Sequence, residues 1–195
     1  MKLLVHTCCA PCASGVCERF KEVSDETAYY FYNPYIHPFL EYNLRLESFK
    51  QYMQDQNYQH YVNDEYQIES LFDYQQKGIS RCEHCYIVRL EQTAVFAKAQ
   101  GFDSFSTTLL ISPYQDQDTI LALGNKIAKK TGINFYNEDL RGYFNLSKQK
   151  SRENKLYRQQ YCGCVVSEKE RYQQEKDKNG RIKAVRHIFD KLFSE

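Results

Sequence analysis

The first apolar run, Lys2-Leu-Leu-Val-His-Thr7, shows no polar alternation and predicts a short strand buried on both faces. Ala13 to Val23 follows as a helix. Thr27-Ala-Tyr-Tyr-Phe-Tyr32 is a second β-prone run, stopped by Asn33-Pro34. Pro38 opens a helix through about Gln54, with Tyr42, Leu46, Phe49 and Met53 at helical spacing on one face. Gln59-His-Tyr-Val62 predicts a third strand. From Glu83 to Gln100 the pattern is helical, with Leu90, Ala94, Val95 and Ala97 marking an inner face and Gly101 as the stop. Phe102 to Leu110 reads as a strand broken by Ser112-Pro113. Asp116 to Lys130 reads as a helix closed by Thr131-Gly132, and Ile133-Asn-Phe-Tyr136 as the last strand. From about Asn145 the chain is helical and charged.

Strands alternating with helices of this length imply βαβ units, an α/β fold and a parallel sheet. The length of 195 residues suits one domain: an α/β core over about 1–144 and a helical, basic part over about 145–195. In parallel sheets, ligands bind beyond the carboxyl ends of the strands. His6-Thr-Cys-Cys-Ala-Pro-Cys12 falls at that end of the first strand.

The net charge of +1 excludes a global polycation, so any nucleic-acid surface must be local. The N-terminus lacks a signal-peptide pattern, and no run of about 18 apolar residues exists to span a membrane. A cytoplasmic protein with reduced thiols is expected, which makes a disulfide framework a poor account of the eight cysteines. They fall into Cys8-Cys9-x-x-Cys12, Cys82-Glu-His-Cys85 and Cys162-Gly-Cys164, with Cys17 apart on the first helix as a small core residue. A CxxC at a loop-to-helix junction is a metal knuckle, and the glycine of Cys-Gly-Cys permits a sharp turn. One tetrahedral zinc on Cys82, Cys85, Cys162 and Cys164 would leave three thiols unexplained. Iron–sulfur ligation, structural zinc and redox or catalytic cysteine all remain open on spacing alone.

The residues also carry a resemblance. His6-Thr-Cys-Cys-Ala-Pro-Cys12, Asn33-Pro-Tyr-Ile-His-Pro38 with Glu41-Tyr42, Arg81-Cys-Glu-His-Cys-Tyr-Ile-Val-Arg-Leu90, Thr107-Thr-Leu-Leu-Ile-Ser-Pro-Tyr114 and Tyr157-Arg-Gln-Gln-Tyr-Cys-Gly-Cys164 occur in this order. Together they resemble the cobalamin-independent epoxyqueuosine reductases of the QueH type, from about residue 3 to residue 165. The resemblance implies a fold related to the α/β nucleotide hydrolase (HUP, PP-loop-like) group. It implies a [4Fe–4S] cluster with an adjacent mononuclear metal, an iron, that binds the epoxide oxygen. It also implies the last step of queuosine biosynthesis, the reductive removal of the epoxide oxygen from epoxyqueuosine in the wobble position of tRNA. Some family members carry Asp where this chain has Cys12, and Asn is frequent where it has Tyr35. The phosphate loop of the thiolating relatives is replaced by Cys-Cys-Ala-Pro-Cys, so ATP is not implied.

Cys82, Cys85, Cys162 and one of Cys8 and Cys9 are expected to hold the cluster; Cys12, Cys164 and the other member, the single metal. His37 and Tyr114 join Cys12 as candidate catalytic residues, His37 as a proton donor. His6 is read as supporting a cysteine sulfur, and His84 as unable to point with both flanking thiols. Asn33, Arg89, Thr107, Thr108, Ser112 and Arg158 are candidate substrate contacts. Lys148, Lys150 and Arg152, with Arg158, form a basic stretch leading into Cys162 and read as tRNA backbone contacts; Lys176 to Arg186 is a second basic stretch, diluted by acids. The implied partners are tRNA and an external ferredoxin- or flavodoxin-like electron donor. A tRNA-thiolation enzyme and a zinc-stabilised RNA-binding module are the rival readings.

Overall fold

The computed structural model describes residues 1–173, so the Lys176 to Arg186 stretch lies outside the described residues. The strands are β1 (Lys2–His6), β2 (Glu26–Phe31), β3 (His60–Val62), β4 (Ser104–Thr107) and β5 (Asn134–Phe135). The helices are α1 (Ala10–Val23), α2 (Phe39–Asp55), α3 (Tyr74–Lys77), α4 (Arg81–Ala99), α5 (Gln117–Thr131), α6 (Phe144–Glu153) and α7 (Val165–Gln173). All strands run parallel in the order β3-β2-β1-β4-β5. The expected parallel α/β architecture is therefore present. No helix among the described residues is long and apolar enough to cross a membrane.

The alternation of side chains along β2 shows how the layers form. Tyr29 donates from its hydroxyl to the Cys17 carbonyl of α1, while the next ring, Tyr30, stacks on Phe96 of α4 at 4.5 Å. Helix α1 thus covers one face of the sheet and α4 the other. Leu3, Leu4 and Val5 at the centre are wholly buried, as a strand covered on both faces requires. Cys17 is buried in this core, in keeping with its expected role. Helix α6 lies close against α1, because a Cβ on Gly15 would meet Ser147 Cβ at 2.6 Å.

Three expectations need correction. Val95 is exposed, because Leu90, Ala94 and Ala97 share one face at i, i+4 and i+7 while Val95 turns away from it. The strand expected over Phe102–Leu110 ends at Thr107 and gives way to a 3-10 turn over Thr108–Ile111. The Thr107 hydroxyl accepts the Leu109 amide at 3.1 Å, which turns the chain. Finally, the segment from Asn145 is not continuously helical, since a loop over 154–164 separates α6 from α7 and carries Cys162 and Cys164.

Candidate active site

Strands β1 and β4 lie side by side where the strand order reverses, and their carboxyl ends lead to Cys8-Cys9 and to Thr108. Each cysteine group stands at the amino end of a helix: Cys8, Cys9 and Cys12 at α1, Cys82 and Cys85 at α4, Cys164 before α7. The helix dipole there favours thiolate over thiol. The start of α4 is set by an N-cap, in which the Ser80 hydroxyl accepts the Glu83 amide at 3.1 Å. All eight cysteines are free thiols.

The Sγ atoms of Cys8, Cys9 and Cys12 lie within 4.8 Å of one another, those of Cys8 and Cys9 3.7 Å apart. Among these thiols the negative charge settles on Cys8. Hydrogen bonds from Cys12 and Cys9 hold Cys8 well below the ordinary thiol range. The same contacts with Cys8 and Cys9, reinforced by burial, push Cys12 well above it. For Cys9 the Cys12 hydrogen bond lowers the pKa, but Cys8 and burial outweigh it and raise the group to about 12. Loading a metal must therefore displace protons from Cys9 and Cys12.

Two of the three groups have donors aimed at sulfur. Thr108 Oγ1 donates to Cys8 Sγ at 3.6 Å and accepts the Cys8 amide at 3.3 Å. Gln159 Nε2 donates to Cys9 Sγ at 3.0 Å, and Gln115 Nε2 to Cys162 Sγ at 3.6 Å. The Ser167 amide donates to Cys164 Sγ at 3.4 Å. Charges on Cys82, Cys162 and Cys164 act on Cys85, which burial chiefly pushes up to about 12. Soft thiol donors in this number, already hydrogen-bonded and free of disulfides, fit an iron–sulfur or thiolate-metal centre.

A cavity of about 800 Å³ opens beside these thiols. Cys8, Cys12 and Cys162 line it, with Arg89, Thr108, Ser112, Tyr114, Lys148, Arg152 and Arg158, all foreseen as site residues. Arg45 and Arg171 bring its basic side chains to six, and no carboxylate lines it among the described residues. Lys150 does not line it; its charge acts instead on Glu18 and Cys17 of α1. Nor do Asn33, Thr107 or His37. Asn33 is buried and donates from Nδ2 to the Thr7 carbonyl at 2.9 Å, fastening the end of β1. His37 Nδ1 meets the Tyr66 hydroxyl at 3.1 Å, while its amide donates to the Gly163 carbonyl at 2.7 Å. His84 turns from the thiols and lies against Tyr35, with Nε2 3.2 Å from the Tyr35 hydroxyl and 3.0 Å from the Ser70 carbonyl.

His6 contacts no sulfur, contrary to expectation, because both ring nitrogens are engaged elsewhere. Nε2 donates to the Tyr32 carbonyl at 3.1 Å and Nδ1 accepts from the Thr107 hydroxyl at 2.9 Å, which fixes the neutral ring. Burial, helped by the Arg89 charge, lowers its pKa from 6.5 to about 4. The unfolded chain thus takes up a proton first as pH falls, so stability is lost from pH 6.5 down to about 4. The expected loss in metal-free protein is about 3 kcal/mol over that window. Urea denaturation should show that loss in excess over the His6→Gln variant; equal slopes in the two proteins would contradict it.

Sequence reasoning missed the clamp on the Cys162 loop. Arg45, 1% exposed, donates to the carbonyls of Cys162 at 2.8 Å and Tyr161 at 3.0 Å and pairs with buried Glu41 at 2.7 Å. Tyr157 donates to the other Glu41 oxygen, and Tyr161 donates to the His37 carbonyl. Gly163, at φ +137°, lies under the guanidinium, where a Cβ would come within 3.1 Å of Arg45 Nη1. Glu41, Tyr157 and Gly163 stood in the sequence motifs, but Glu41 and Arg45 read as an i, i+4 pair, which ordinarily marks an exposed helix face.

Comparison with known proteins agrees with this site. Residues 3–170 match the family described as epoxyqueuosine reductase QueH. The epoxyqueuosine reductase QueH of Dehalococcoides mccartyi is 37% identical over 172 residues, covering 88% of this chain and 94% of the relative. That of Thermotoga maritima is 36% identical over 179 residues, covering 87% and 91%, and that of Haemophilus influenzae 33% over 181 residues, covering 85% and 71%. The matched span runs from β1 into α7 and contains every cysteine motif, so the chain belongs to the QueH family of epoxyqueuosine reductases.

Proposed function

We propose that this protein reduces epoxyqueuosine to queuosine in the wobble position of tRNA. The observation that carries the reading is the Cys8, Cys9, Cys12 trio beside a cavity that Cys162 also lines, with six basic residues and, among the described residues, no carboxylate. The reaction takes up two electrons and two protons; both bonds from carbon to the epoxide oxygen break, a carbon–carbon double bond forms and water leaves. An external ferredoxin- or flavodoxin-like protein is the proposed electron source.

Cys82, Cys85, Cys162 and one of Cys8 and Cys9 would hold a [4Fe–4S] cluster; Cys12, Cys164 and the other of the pair would hold a mononuclear iron. Bound there, the cluster supplies electrons singly and the single metal supplies a Lewis acid. The remaining chemistry belongs to the chain. Thr108, Gln159 and Gln115 hold the sulfurs in place through the hydrogen bonds above. Ser112 offers a hydroxyl to the substrate's diol from the cavity wall, while the Thr108 hydroxyl is engaged by Cys8. His37 and Tyr114 are the alternative proton donors of this reading: Tyr114 lines the cavity, whereas His37 stands outside it, braced against the Cys162 loop. Loss of kcat in His37→Gln with near-normal turnover in Tyr114→Phe would select the histidine, and the reverse pattern the tyrosine.

Iron and sulfide analysis of anaerobically prepared protein tests the centre. About four cluster irons, one further metal and about four sulfides are expected per chain. A colourless protein holding one zinc would favour the RNA-binding module instead.

The cavity charges yield a separate expectation. Lys148→Glu with Arg152→Glu should weaken tRNA binding and reduce the slope of log affinity against log salt by about 0.7 to 0.9 for each phosphate no longer neutralised. Lys150→Glu, turned toward Glu18, should change the slope far less. Unchanged binding in the double variant at low salt would place the tRNA footprint elsewhere.

A further inference from the structure

Arg89 is the anomaly of the site. It is 3% exposed, its Nε has no hydrogen-bond partner, and no hydrogen bond or ion pair to its guanidinium is formed among the described residues. The other buried arginine, Arg45, is satisfied by a carboxylate and two carbonyls. An unpaired buried guanidinium is costly, and a fold retains one where an anion is to come. Arg89 stands four residues beyond Cys85 and seven beyond Cys82, on the same face of α4, and shares the cavity wall with Cys8 and Cys162. Burial disfavours its charge, yet Cys85, Cys162, Cys8 and Cys164 outweigh this and hold it above its ordinary range. These sulfurs belong to all three cysteine motifs.

We propose that Arg89 is the built-in counter-ion of the thiolate centre: a positioning residue that offsets the negative charge of ligating sulfurs from both sides and raises the potential at which the centre accepts an electron. The inference rests on the metal-loaded reading of the site given above. Thiolate-ligated iron centres carry net negative charge, and nearby charge tunes their potential and metal retention. Removing a neighbouring cation makes reduction harder. In metal-free protein Arg89 faces little more than the Cys8 thiolate, so its removal matters less there than beside the fully charged, loaded centre.

The test compares the full-length chain with Arg89→Met and Arg89→Lys. Metal-free Arg89→Met should melt within a few degrees of wild type, because a long apolar side chain replaces a guanidinium that forms no hydrogen bond or ion pair among the described residues. Loaded, substrate-free Arg89→Met should show a more negative midpoint potential and retain iron about tenfold more weakly. Arg89→Lys should keep a near wild-type potential. A metal-free Arg89→Met that melts well below wild type, or fails to fold, would make Arg89 an ordinary structural residue and overturn the proposal. An unchanged potential with weakened tRNA binding would make it a phosphate contact and overturn it equally. Wild-type protein that takes up no iron and sulfide defeats the metal-loaded reading before any variant is compared, and this inference with it.

Discussion

Cys12→Ser protein should stop turning over epoxyqueuosine tRNA while keeping most of its cluster absorption. Cys12 is the half-buried member of the Cys8, Cys9, Cys12 trio and lines the cavity, whereas Cys9 is buried. One helical turn separates it from the adjacent pair, so its sulfur meets theirs within 4.8 Å. Serine preserves the size but not the ligand, because an alkoxide is far harder to form than a thiolate and suits soft metals poorly. Turnover should fall by at least about a hundredfold, the upper range for disturbing a metal's immediate support. Metal analysis should show the single metal gone and the sulfide retained. Cys82→Ser or Cys85→Ser should instead abolish the cluster absorption, and Cys17→Ser, in the core, should keep activity. Equal loss of cluster and single metal in the Cys12 and Cys82 variants would mean that the two sites are not separable.

The second large effect is expected at Arg45→Ala. This change leaves the Glu41 carboxylate buried with the Tyr157 hydroxyl as its remaining partner, and strips two carbonyls of their donors. Breaking a buried pair from one side costs about 3–5 kcal/mol. For a domain of this size that is a fall of roughly 10 °C in melting temperature. The damage should concentrate where the guanidinium reaches across the sequence to the Cys162 loop, so hydrogen exchange at residues 157–164 should accelerate more than exchange in β1. In Arg45→Met with Glu41→Leu no unpaired charge remains. Stability should largely return while the loop stays loose. A double variant as unstable as the single one would show that packing, rather than the unpaired carboxylate, sets the cost.

The fold was legible where local pattern and tertiary position agree. Leu3, Leu4 and Val5 form an uninterrupted apolar run because β1 is covered on both faces, and Tyr42, Leu46, Phe49 and Met53 keep helical spacing because one face of α2 meets the core. Legibility failed where a side chain redirects the backbone, as Thr107 does at the end of β4. It failed again where a local pair has a distant task. Glu41 and Arg45 are one turn apart in sequence, and only the folded chain shows them closing over carbonyls at 161 and 162. The cysteine motifs could be counted and named from sequence, but the strand order is what sets Cys8 and Cys9 beside Thr108, and the Arg45 clamp is what brings in the Cys162 loop. Lys148 and Lys150, equal in charge and two residues apart, part company because two residues turn a helix about 200°.

The most direct measurement of the central claim is conversion of the substrate itself. Anaerobically loaded wild-type protein is incubated with tRNA bearing epoxyqueuosine and a chemical reductant, and the digested nucleosides are weighed by mass spectrometry. Epoxyqueuosine should disappear, and queuosine, lighter by one oxygen atom, should appear in equal amount over repeated turnovers. Protein shown to contain iron and sulfide, bound to that tRNA and fully reduced, that leaves the epoxide intact would contradict the claim.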